Sequence, residues 1–410
     1  MIILYFMVRD FKDKKLAMLA TFLIVIAPWH LMQSRWGLDC NLMSSMLIIS
    51  IYMLLKSKNK IGYIIAGLLF GITLYSYALS YIIVPIFLLG TLIYLFLIKK
   101  IKITDIICLG IPITILAIPL ILNLFVNKGW IQPIQGSMFS TPKLWGYRGA
   151  EISIGNIAKN IVPILKTMFA YDINDYNAFA QFGTLYYISI PFFFIGIVES
   201  VKNAIQNIRK KEINLDIIII ICFVSVLLCL LCVEGVGISK ANAIYIPMIY
   251  LIAVGINKIA KKDKRILIAV VCIYLILFIS FQYYYFGIYG NRNKNTSFNK
   301  TTIEAVQYVE SNHKFDNKKI NIRTTAIQPY IYTLLANQTS PYEFNKDVVM
   351  SGVVYRYGRY LFYNTNINDD TVYILARMKF NSEFREALLQ NGFEKEDYKD
   401  LEILYKTIEQ

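Results

Sequence analysis

Charged residues are scarce in this chain of 410 residues: they make up 17% of it, whereas hydrophobic residues make up 56%. An ordinary soluble protein is about 45–50% apolar and about 25% charged, so the composition argues against a soluble globular enzyme. The long apolar runs contain essentially no ionisable residues, since Asp105, Glu199 and Asp216 stand near their ends. Transporters driven by protons or ions keep charged residues inside the helix bundle. The lack of such residues, and of a visible inverted repeat, argues against a secondary transporter.

The sequence also lacks the catalytic signatures of soluble enzymes. It contains no Walker loop, no dinucleotide fingerprint and no zinc helix motif. Its six cysteines all lie in or beside apolar runs, and residues 290–410 contain none, which excludes a disulfide-stapled ectodomain. Cys229 and Cys232 spell CxxC in the middle of an apolar run without a histidine or charged neighbour, so we interpret them as core packing.

Long apolar runs dominate the first part of the chain. Most of them reach the length of about 17–25 residues that a membrane-spanning helix needs. The runs are 16–33, 41–55, 61–79, 80–98, 105–126, 184–201, 215–233, 241–257 and 266–289. The sequence therefore predicts an all-α polytopic membrane bundle of about nine complete transmembrane helices.

A further apolar segment, residues 1–8, precedes the first basic cluster. It is too short to cross about 30 Å of hydrocarbon, and its charges follow the apolar residues, whereas those of a signal peptide precede them. We expect a partial helix, the end of a span that begins upstream of this sequence. The alternative is a short interfacial segment.

The net charge of +15 is confined to the apolar part of the chain. Residues 1–289 hold 26 Lys and Arg against 12 Asp and Glu, whereas residues 290–410 hold 16 against 15. If the runs alternate across a membrane, all five basic clusters between them fall on one side, and the short loops on the other side hold only Arg35 and Lys240. Lysine and arginine in short loops mark the cytoplasmic face. The charge thus predicts a multi-pass protein of the cell membrane and no nucleic-acid partner.

Two segments are predicted to lie outside the membrane on the opposite face. The first is the outer loop 127–183 of the membrane domain 1–289; it includes an interfacial helix at about 151–170. The second is the C-terminal domain 290–410, predicted to be a small extracytoplasmic α+β domain, large enough to bury its own core. Its predicted helices are 299–312, 327–336 and 381–391, and its predicted strands are 319–324, 352–363, 371–376 and 401–407.

Polar residues of the types that bind phosphate or act in catalysis lie close together in the short outer loop within 27–42. Arg35 lies there although the short outer loops hold few lysines and arginines. The planar guanidinium group of arginine has a hydrogen-bonding geometry that matches phosphate oxygens. Asp39 follows, and a carboxylate at this depth can position an acceptor, hold a metal or act as a base. Trp36 and Asn41 complete a candidate substrate-binding group. The alternative is an Arg35–Asp39 ion pair that only caps the turn.

The same loop, followed by a span, resembles bacterial membrane glycosyltransferases of the GT-C superfamily, of the protein mannosyltransferase and aminoarabinose transferase type. The resemblance covers residues 5–290 approximately. Its motifs are Pro28-Trp29-His30, Ser34-Arg35-Trp36-Gly37-Leu38-Asp39-Cys40-Asn41, Gly67 to Tyr77 with Pro85, Phe182 to Tyr186 with Pro191 and Gly196, and Asn242 to Pro247 with Gly255.

Enzymes of this type transfer a sugar from a polyprenyl-phosphate carrier to an acceptor outside the cell. The resemblance implies a principal catalytic Asp in a first outer loop upstream of this sequence, so the chain as written is expected to lack it and can be inactive for that reason. Asp39 is then the candidate catalytic acid, although in several relatives the acid of this loop stands one position later, where this chain has Cys40. The implied partners are the polyprenyl-phosphate-sugar donor, membrane lipid and a cell-envelope acceptor, whether glycan, lipid or protein.

Other candidate substrate-binding residues lie in the remaining outer segments. Arg148, Asp172 and Asp175 stand beside tryptophan and tyrosine in the loop 127–183, a combination that suits sugars and also suits a membrane interface. Lys240 and Asn242, in the last short outer loop, are candidates for the donor phosphate; simple snorkelling of Lys240 is the alternative.

Two functions follow as hypotheses from these residues. The first is a membrane glycosyltransferase; no cofactor is predicted for it, and a divalent metal stays an open alternative. The second is a non-enzymatic transporter of lipid-linked glycans or a cell-envelope assembly factor. The scarcity of polar residues inside the spans argues against the second hypothesis.

Overall fold

The computed structural model describes residues 1–136, 139–144, 151–170, 177–207, 211–289 and 299–407. These form two compact units, Met1–Gln282 and Tyr283–Gln410, here called the membrane unit and the tail unit. The membrane unit is built from helices. They are α1 (Ile2–Phe11), α2 (Lys14–Ile26), α3 (Pro28–Gln33), α4 (Asp39–Lys56), α5 (Lys60–Leu74), α6 (Ser80–Leu97), α7 (Ile103–Asn127), α8 (Ile157–Phe169), α9 (Ser189–Asn207), α10 (Leu215–Cys232), α11 (Tyr245–Ala260) and α12 (Lys264–Gln282).

Six helices of the described chain are long and apolar enough to cross a membrane. They are Asp39–Lys56, Ser80–Leu97, Ile103–Asn127, Leu215–Cys232, Asn242–Ala260 and Lys264–Tyr289, and a shorter apolar helix is Lys60–Leu74. The protein is therefore mostly helical with a membrane-protein character. The other predicted spans and the orientation of the chain stay predictions.

The predicted run 16–33 is not one continuous helix, because a proline interrupts it. Helix α2 ends at Ile26, and Ala27 adopts an extended conformation with ψ 129° before Pro28 opens α3. A residue that precedes proline is driven out of the helical region by the proline ring. The predicted run 184–201 likewise becomes helical only at Ser189.

Glycines bring two pairs of helices into close contact. A Cβ added at Gly196 in α9 would lie 1.8 Å from the Leu251 carbonyl oxygen of α11, and one at Gly255 in α11 would lie 1.9 Å from the Phe192 oxygen. Helices α5 and α7 meet in the same way, since a Cβ at Gly67 would lie 2.2 Å from a backbone oxygen of α7. Small residues allow this backbone approach, the typical packing of helices in lipid.

A buried carboxylate joins several helices where α10 begins. Asp216 is fully buried and pairs with the ammonium group of Lys12, which lies between α1 and α2. Its Oδ1 also accepts hydrogen bonds from the Tyr250 hydroxyl at 2.7 Å and the Ser200 hydroxyl at 3.2 Å. Buried charges are stable only when paired and hydrogen-bonded, so this junction fixes α9, α10 and α11 to the start of α2.

Helix α8 lies within the segment predicted as an interfacial helix. Its buried Asn160 donates to the carbonyl oxygens of Leu230, Leu231 and Val233 at 2.6–3.1 Å, groups that the end of α10 leaves without helical partners. Its other face is exposed and apolar. The residues of this face are Ile157, Ile161, Val162 and Leu165. An amphipathic helix of this kind is typical of a membrane surface.

In its described residues, 283–289 and 299–407, the tail unit contains a seven-stranded sheet and four α-helices. The helices are α13 (Lys300–Ser311), α14 (Pro329–Ala336), α15 (Pro341–Asp347) and α16 (Ser382–Gln390), preceded by a π-helical turn, Tyr283–Tyr289. The strands are β1 (Lys319–Arg323), β2 (Val348–Ser351), β3 (Val353–Tyr357), β4 (Tyr360–Phe362), β5 (Thr371–Ala376), β6 (Glu394–Tyr398) and β7 (Leu401–Tyr405). Their order is β2-β3-β4-β1-β5-β7-β6, with β4, β1 and β5 parallel at the centre.

The centre of this sheet is its core, and its hairpins lie at the edges. In register, Ile320 of β1 lies between Tyr360 of β4 and Val372 of β5, and every residue of β5 is buried. The single strand predicted at 352–363 is two strands, because the chain turns at Gly358, whose φ of +53° suits glycine. Strands β2 and β6 and helix α15 are additions to the predicted elements.

Candidate functional site

Four chain segments converge on a cleft of about 320 Å³ in the membrane unit. They are residues 38–40 at the start of α4, 77–79 between α5 and α6, 151–152 before α8 and 239–240 between α10 and α11. Three of these segments belong to loops that the charge pattern predicts on one side of a membrane. We call this feature the Asp39 cleft.

Asp39 lies at the first position of α4, in the wall of the cleft. Its side chain is exposed, and its Oδ1 accepts a hydrogen bond from the backbone N–H of Cys40 at 3.0 Å. Unpaired N–H groups at the first turn of a helix stabilise negative charge. The position thus presents a carboxylate to the cleft on a rigid helix.

Lys240 reaches the same cleft and is paired there with an acid. Its ammonium nitrogen lies 2.7 Å from Oε2 of Glu151 and also donates to the backbone oxygen of Glu234. The Lys240 and Glu151 side chains are 26% and 37% exposed, and an ion pair with this much water contact contributes only about 0–1 kcal/mol. Breaking this ion pair therefore costs little free energy. The lysine is held by protein groups, which differs from simple snorkelling into water.

Glu151 was not among the residues singled out from the sequence. It is held in place by backbone pairing: its carbonyl oxygen accepts from the N–H of Glu234, and Ile152 bridges Val233. One signal in the sequence would have found it. Glu151 is the single acidic residue between positions 127 and 170, a segment rich in apolar and aromatic residues.

Asn41 and Asn242, 201 positions apart in the chain, meet in a hydrogen bond of 2.7 Å. Asn41 also donates to the carbonyl oxygens of Gln33 and Trp36 at 2.7 and 2.9 Å. Asn242 is 2% exposed and accepts from the indole N–H of Trp29 at 2.9 Å. These two amides spend most of their hydrogen-bonding capacity on protein groups, so they fix the turn between α3 and α4 against the start of α11.

Arg35 and Trp36 lie on that turn, next to the cleft wall at Leu38. Arg35 is exposed and Trp36 half-buried. The other sequence-predicted residues of the outer loop, Arg148, Asp172 and Asp175, lie outside the described residues. Of the described candidates, the structure thus brings Asp39 together with Lys240, and Asn41 together with Asn242.

A second, mostly apolar cleft of about 380 Å³ lies beside the asparagine pair. Its lining includes Ile24, Ile48 and Ile246 together with His30 and Gln33. The buried Nδ1 of His30 and Oε1 of Gln33 have no hydrogen-bond partner within the part of the chain that the structure describes. We call this second cleft the apolar cleft.

Within the described residues, no group of three or more His, Cys, Asp and Glu is arranged to hold a metal ion. The Asp39 cleft instead offers two carboxylates, which are candidate bases for proton transfer, and one ammonium group, which is a candidate partner for an anion. No family model, curated protein or solved structure matches this chain significantly.

Proposed function

We propose that the chain belongs to a membrane glycosyltransferase of the GT-C type, which transfers a sugar from a polyprenyl-phosphate donor to a cell-envelope acceptor. One observation carries the proposal: Asp39 and Lys240, distant in the chain, line one cleft together with Glu151. The candidate spans would place the chain in a lipid bilayer, the environment that a polyprenyl carrier requires. In this proposal the cleft and the tail unit face the outside of the cell membrane.

The cationic side of the cleft is proposed to bind the phosphate of the donor. Lys240 exchanges its contact with Glu151 for the phosphate oxygens, and Arg35, on the adjoining turn, is a second candidate phosphate ligand. An ammonium group is a compact, mobile point charge, which suits a phosphate that becomes a leaving group. Since the glycosidic oxygen gains negative charge as the bond breaks, Lys240 stabilises the transition state more than the ground state.

The acidic side is proposed to activate the acceptor. Asp39 accepts the proton of an acceptor hydroxyl while that oxygen forms a bond to the anomeric carbon of the sugar. The bond between that carbon and the phosphate oxygen breaks, and polyprenyl phosphate leaves with the electron pair. The proton passes from Asp39 to water, so the chain returns to its starting state. Trp36 is proposed to stack on a sugar ring.

The apolar cleft is proposed to hold the isoprenoid part of the donor nearest the phosphate. Its isoleucine-rich lining favours a hydrocarbon chain, since burial of apolar surface contributes about 25 cal/mol per Å². Asn41 and Asn242 line this cleft together with Ser34, the neighbour of Arg35, so a donor with its isoprenoid chain in the cleft would hold its phosphate near that turn.

The test is sugar transfer by the chain in liposomes. A panel of polyprenyl-phosphate donors carrying labelled hexose, hexosamine or pentose is added with membrane acceptor extracts, and labelled product is measured. Relative to the unmodified chain, we expect Asp39→Asn to lower transfer by about 10²–10⁴-fold, the range of general base catalysis, and Lys240→Ala to lower it by a comparable factor.

Matched controls separate chemistry from general damage. Glu212→Gln and Lys262→Ala remove exposed charges elsewhere on the membrane unit and should leave transfer unchanged. Full activity of Asp39→Asn and Lys240→Ala would contradict the proposal. Movement of labelled lipid across the vesicle without bond formation would instead favour a transporter of lipid-linked glycans.

A further inference from the structure

The tail unit contains its own pocket, of about 510 Å³. It lies where β4 ends, beside the start of α14 and the β2-β3 hairpin. Its lining includes Gln328, Tyr330, Tyr355, Tyr363, Asn364 and Thr365. The volume is that of small-molecule sites, which span about 300–1,000 Å³.

Three tyrosine rings stand around this pocket. Tyr330 stacks on Phe344 with the ring planes 7° apart and the centroids 5.5 Å apart, so its orientation is fixed from behind. Tyr355 is 51% exposed. Tyr363 stands at the carboxyl end of β4, and its hydroxyl donates to the carbonyl oxygens of Thr324 and Ala326 at 2.8 and 2.6 Å.

Tyr363 adopts an uncommon backbone conformation, with φ at +54°. Bulky residues rarely adopt positive φ, and such strain is kept where the surroundings over-determine it, most often at binding sites. Its single hydroxyl hydrogen, shared between the carbonyl oxygens of Thr324 and Ala326, holds the ring in this position. The pocket therefore has one preorganised aromatic wall.

Polar groups with spare hydrogen-bonding capacity line the same pocket. Asn364 accepts from the N–H of Asn366 through Oδ1, while its amide nitrogen has no hydrogen-bond partner among the described residues. The hydroxyls of Tyr355 and Thr365 have none there either. The lining residues include no Asp, Glu, Lys, Arg or His, so the pocket is neutral.

From these features we infer that the tail unit binds an uncharged saccharide in this pocket. A sugar ring offers an apolar C–H face for the aromatic rings and hydroxyl groups for the amide and hydroxyl partners. A charged ligand would lose its hydration without meeting an opposite charge. A purely apolar ligand would leave the polar lining groups unsatisfied. This binding site goes beyond the proposed transfer reaction and does not depend on it.

The test is saccharide binding by the full chain, purified in a detergent without a sugar headgroup. The probe is an array of neutral oligosaccharides built from hexoses, pentoses and N-acetylhexosamines, with uronic-acid and sialic-acid oligosaccharides as charged comparators. We expect retention on neutral saccharides only. Saturation-transfer NMR with the retained saccharide then measures its affinity for each variant.

Three variants address the pocket, and a fourth serves as a control. Tyr355→Ala and Asn364→Ala should each weaken binding by about tenfold, the effect of losing one good contact, while Tyr355→Phe should lose only the part due to the hydroxyl. Tyr342→Ala removes an 83% exposed tyrosine of α15 outside the pocket lining and should change nothing. Tyr355→Phe keeps the ring, so it stays informative even if an alanine variant fails to fold.

Three results would overturn the inference. The first is no retention on any neutral saccharide, the second is binding that both alanine variants leave intact, and the third is preference for charged saccharides. Because the readout is binding, a negative result here does not contradict the proposed transfer reaction. Loss of transfer likewise does not contradict saccharide binding in the tail unit.

Discussion

The close approach of α9 and α11 predicts that a single methyl group at Gly196 disrupts the membrane unit. The Cβ of Gly196→Ala would lie 1.8 Å from the Leu251 carbonyl oxygen and 2.6 Å from its carbon, whereas Cβ atoms essentially never come within 3.0 Å of another atom. Both obstacles are backbone atoms and cannot rotate away. The helices must therefore separate by at least about 1.2 Å.

The expected loss in the free energy of unfolding follows from the packing that this separation disrupts. Overpacking a filled core costs about 1–3 kcal/mol, and a clash between two backbones belongs at the upper end, so we expect a loss of about 3 kcal/mol in the free energy of unfolding. Gly110 in α7 is the matched control, because a Cβ there meets nothing within 4 Å. Alanine is the better helix former by up to about 1 kcal/mol, so Gly110→Ala should be neutral or stabilising.

The assay is denaturant unfolding of the purified chain in detergent micelles, followed by tryptophan fluorescence. Helix α11 begins just after Asn242, so its displacement should also disturb the environment of Trp29 in the folded state. A Gly196→Ala variant as stable as Gly110→Ala, within about 0.5 kcal/mol, would contradict a close backbone contact between α9 and α11.

Three further predictions concern polar contacts. Asp216→Asn leaves Lys12 without its partner at a buried junction and should lower the free energy of unfolding by about 3 kcal/mol, measured by the same unfolding curves. Asn160→Leu removes the donor to three carbonyl groups at the end of α10 and should cost about 1–3 kcal/mol, seen as a lower midpoint of unfolding. Glu304 lies 2.5 Å from Lys399, and that hydrogen bond holds the pKa of its carboxyl below the ordinary value of 4.5. Because the folded-state pKa is depressed, its contribution to stability is present above pH 4.5 and is lost as the pH falls further; Glu304→Gln should flatten the acid side of the stability profile, and an unchanged profile would contradict this.

Apolar patterning predicts much of the fold because burial in a helix bundle depends on local runs. Strand β5 around Val372 is a nearly continuous apolar segment, typical of a parallel strand covered on both faces, whereas β1 alternates isoleucine with polar residues. Strand β6 does not, because Glu394–Tyr398 is strongly charged and forms the edge of the sheet through pairing with β7. Its partner strand, not its own side chains, determines its conformation.

Breaks in helices and long-range polar contacts are not predicted by local apolar patterning. Pro28 is visible in the sequence, yet the apolar run around it continues and concealed the end of α2. Asp216 reads as a residue at the end of a span, and only the packing of Lys12 and Tyr250 around it shows a fully buried junction. Residue order contains no direct signal for such contacts.

The candidate site is likewise predicted only in part by the sequence. Asp39 and Lys240 stand out in the sequence because they are polar residues in short, charge-poor loops. That they share a cleft, and that Glu151 pairs with the lysine, depends on how the helices pack. Asn41 and Asn242 stood out for the same reason as Asp39, but their hydrogen bonds are made to protein groups.

The most direct test of the central claim is where a polyprenyl-phosphate donor touches the chain. A donor with a photoreactive group beside its phosphate is cross-linked in liposomes, and labelled peptides are identified by mass spectrometry. We expect labelling of residues 77–79, 151–152 and 239–240 that decreases in Lys240→Ala and persists in Lys262→Ala. Labelling confined to other segments, or unaffected by Lys240→Ala, would contradict the claim that the Asp39 cleft binds the donor.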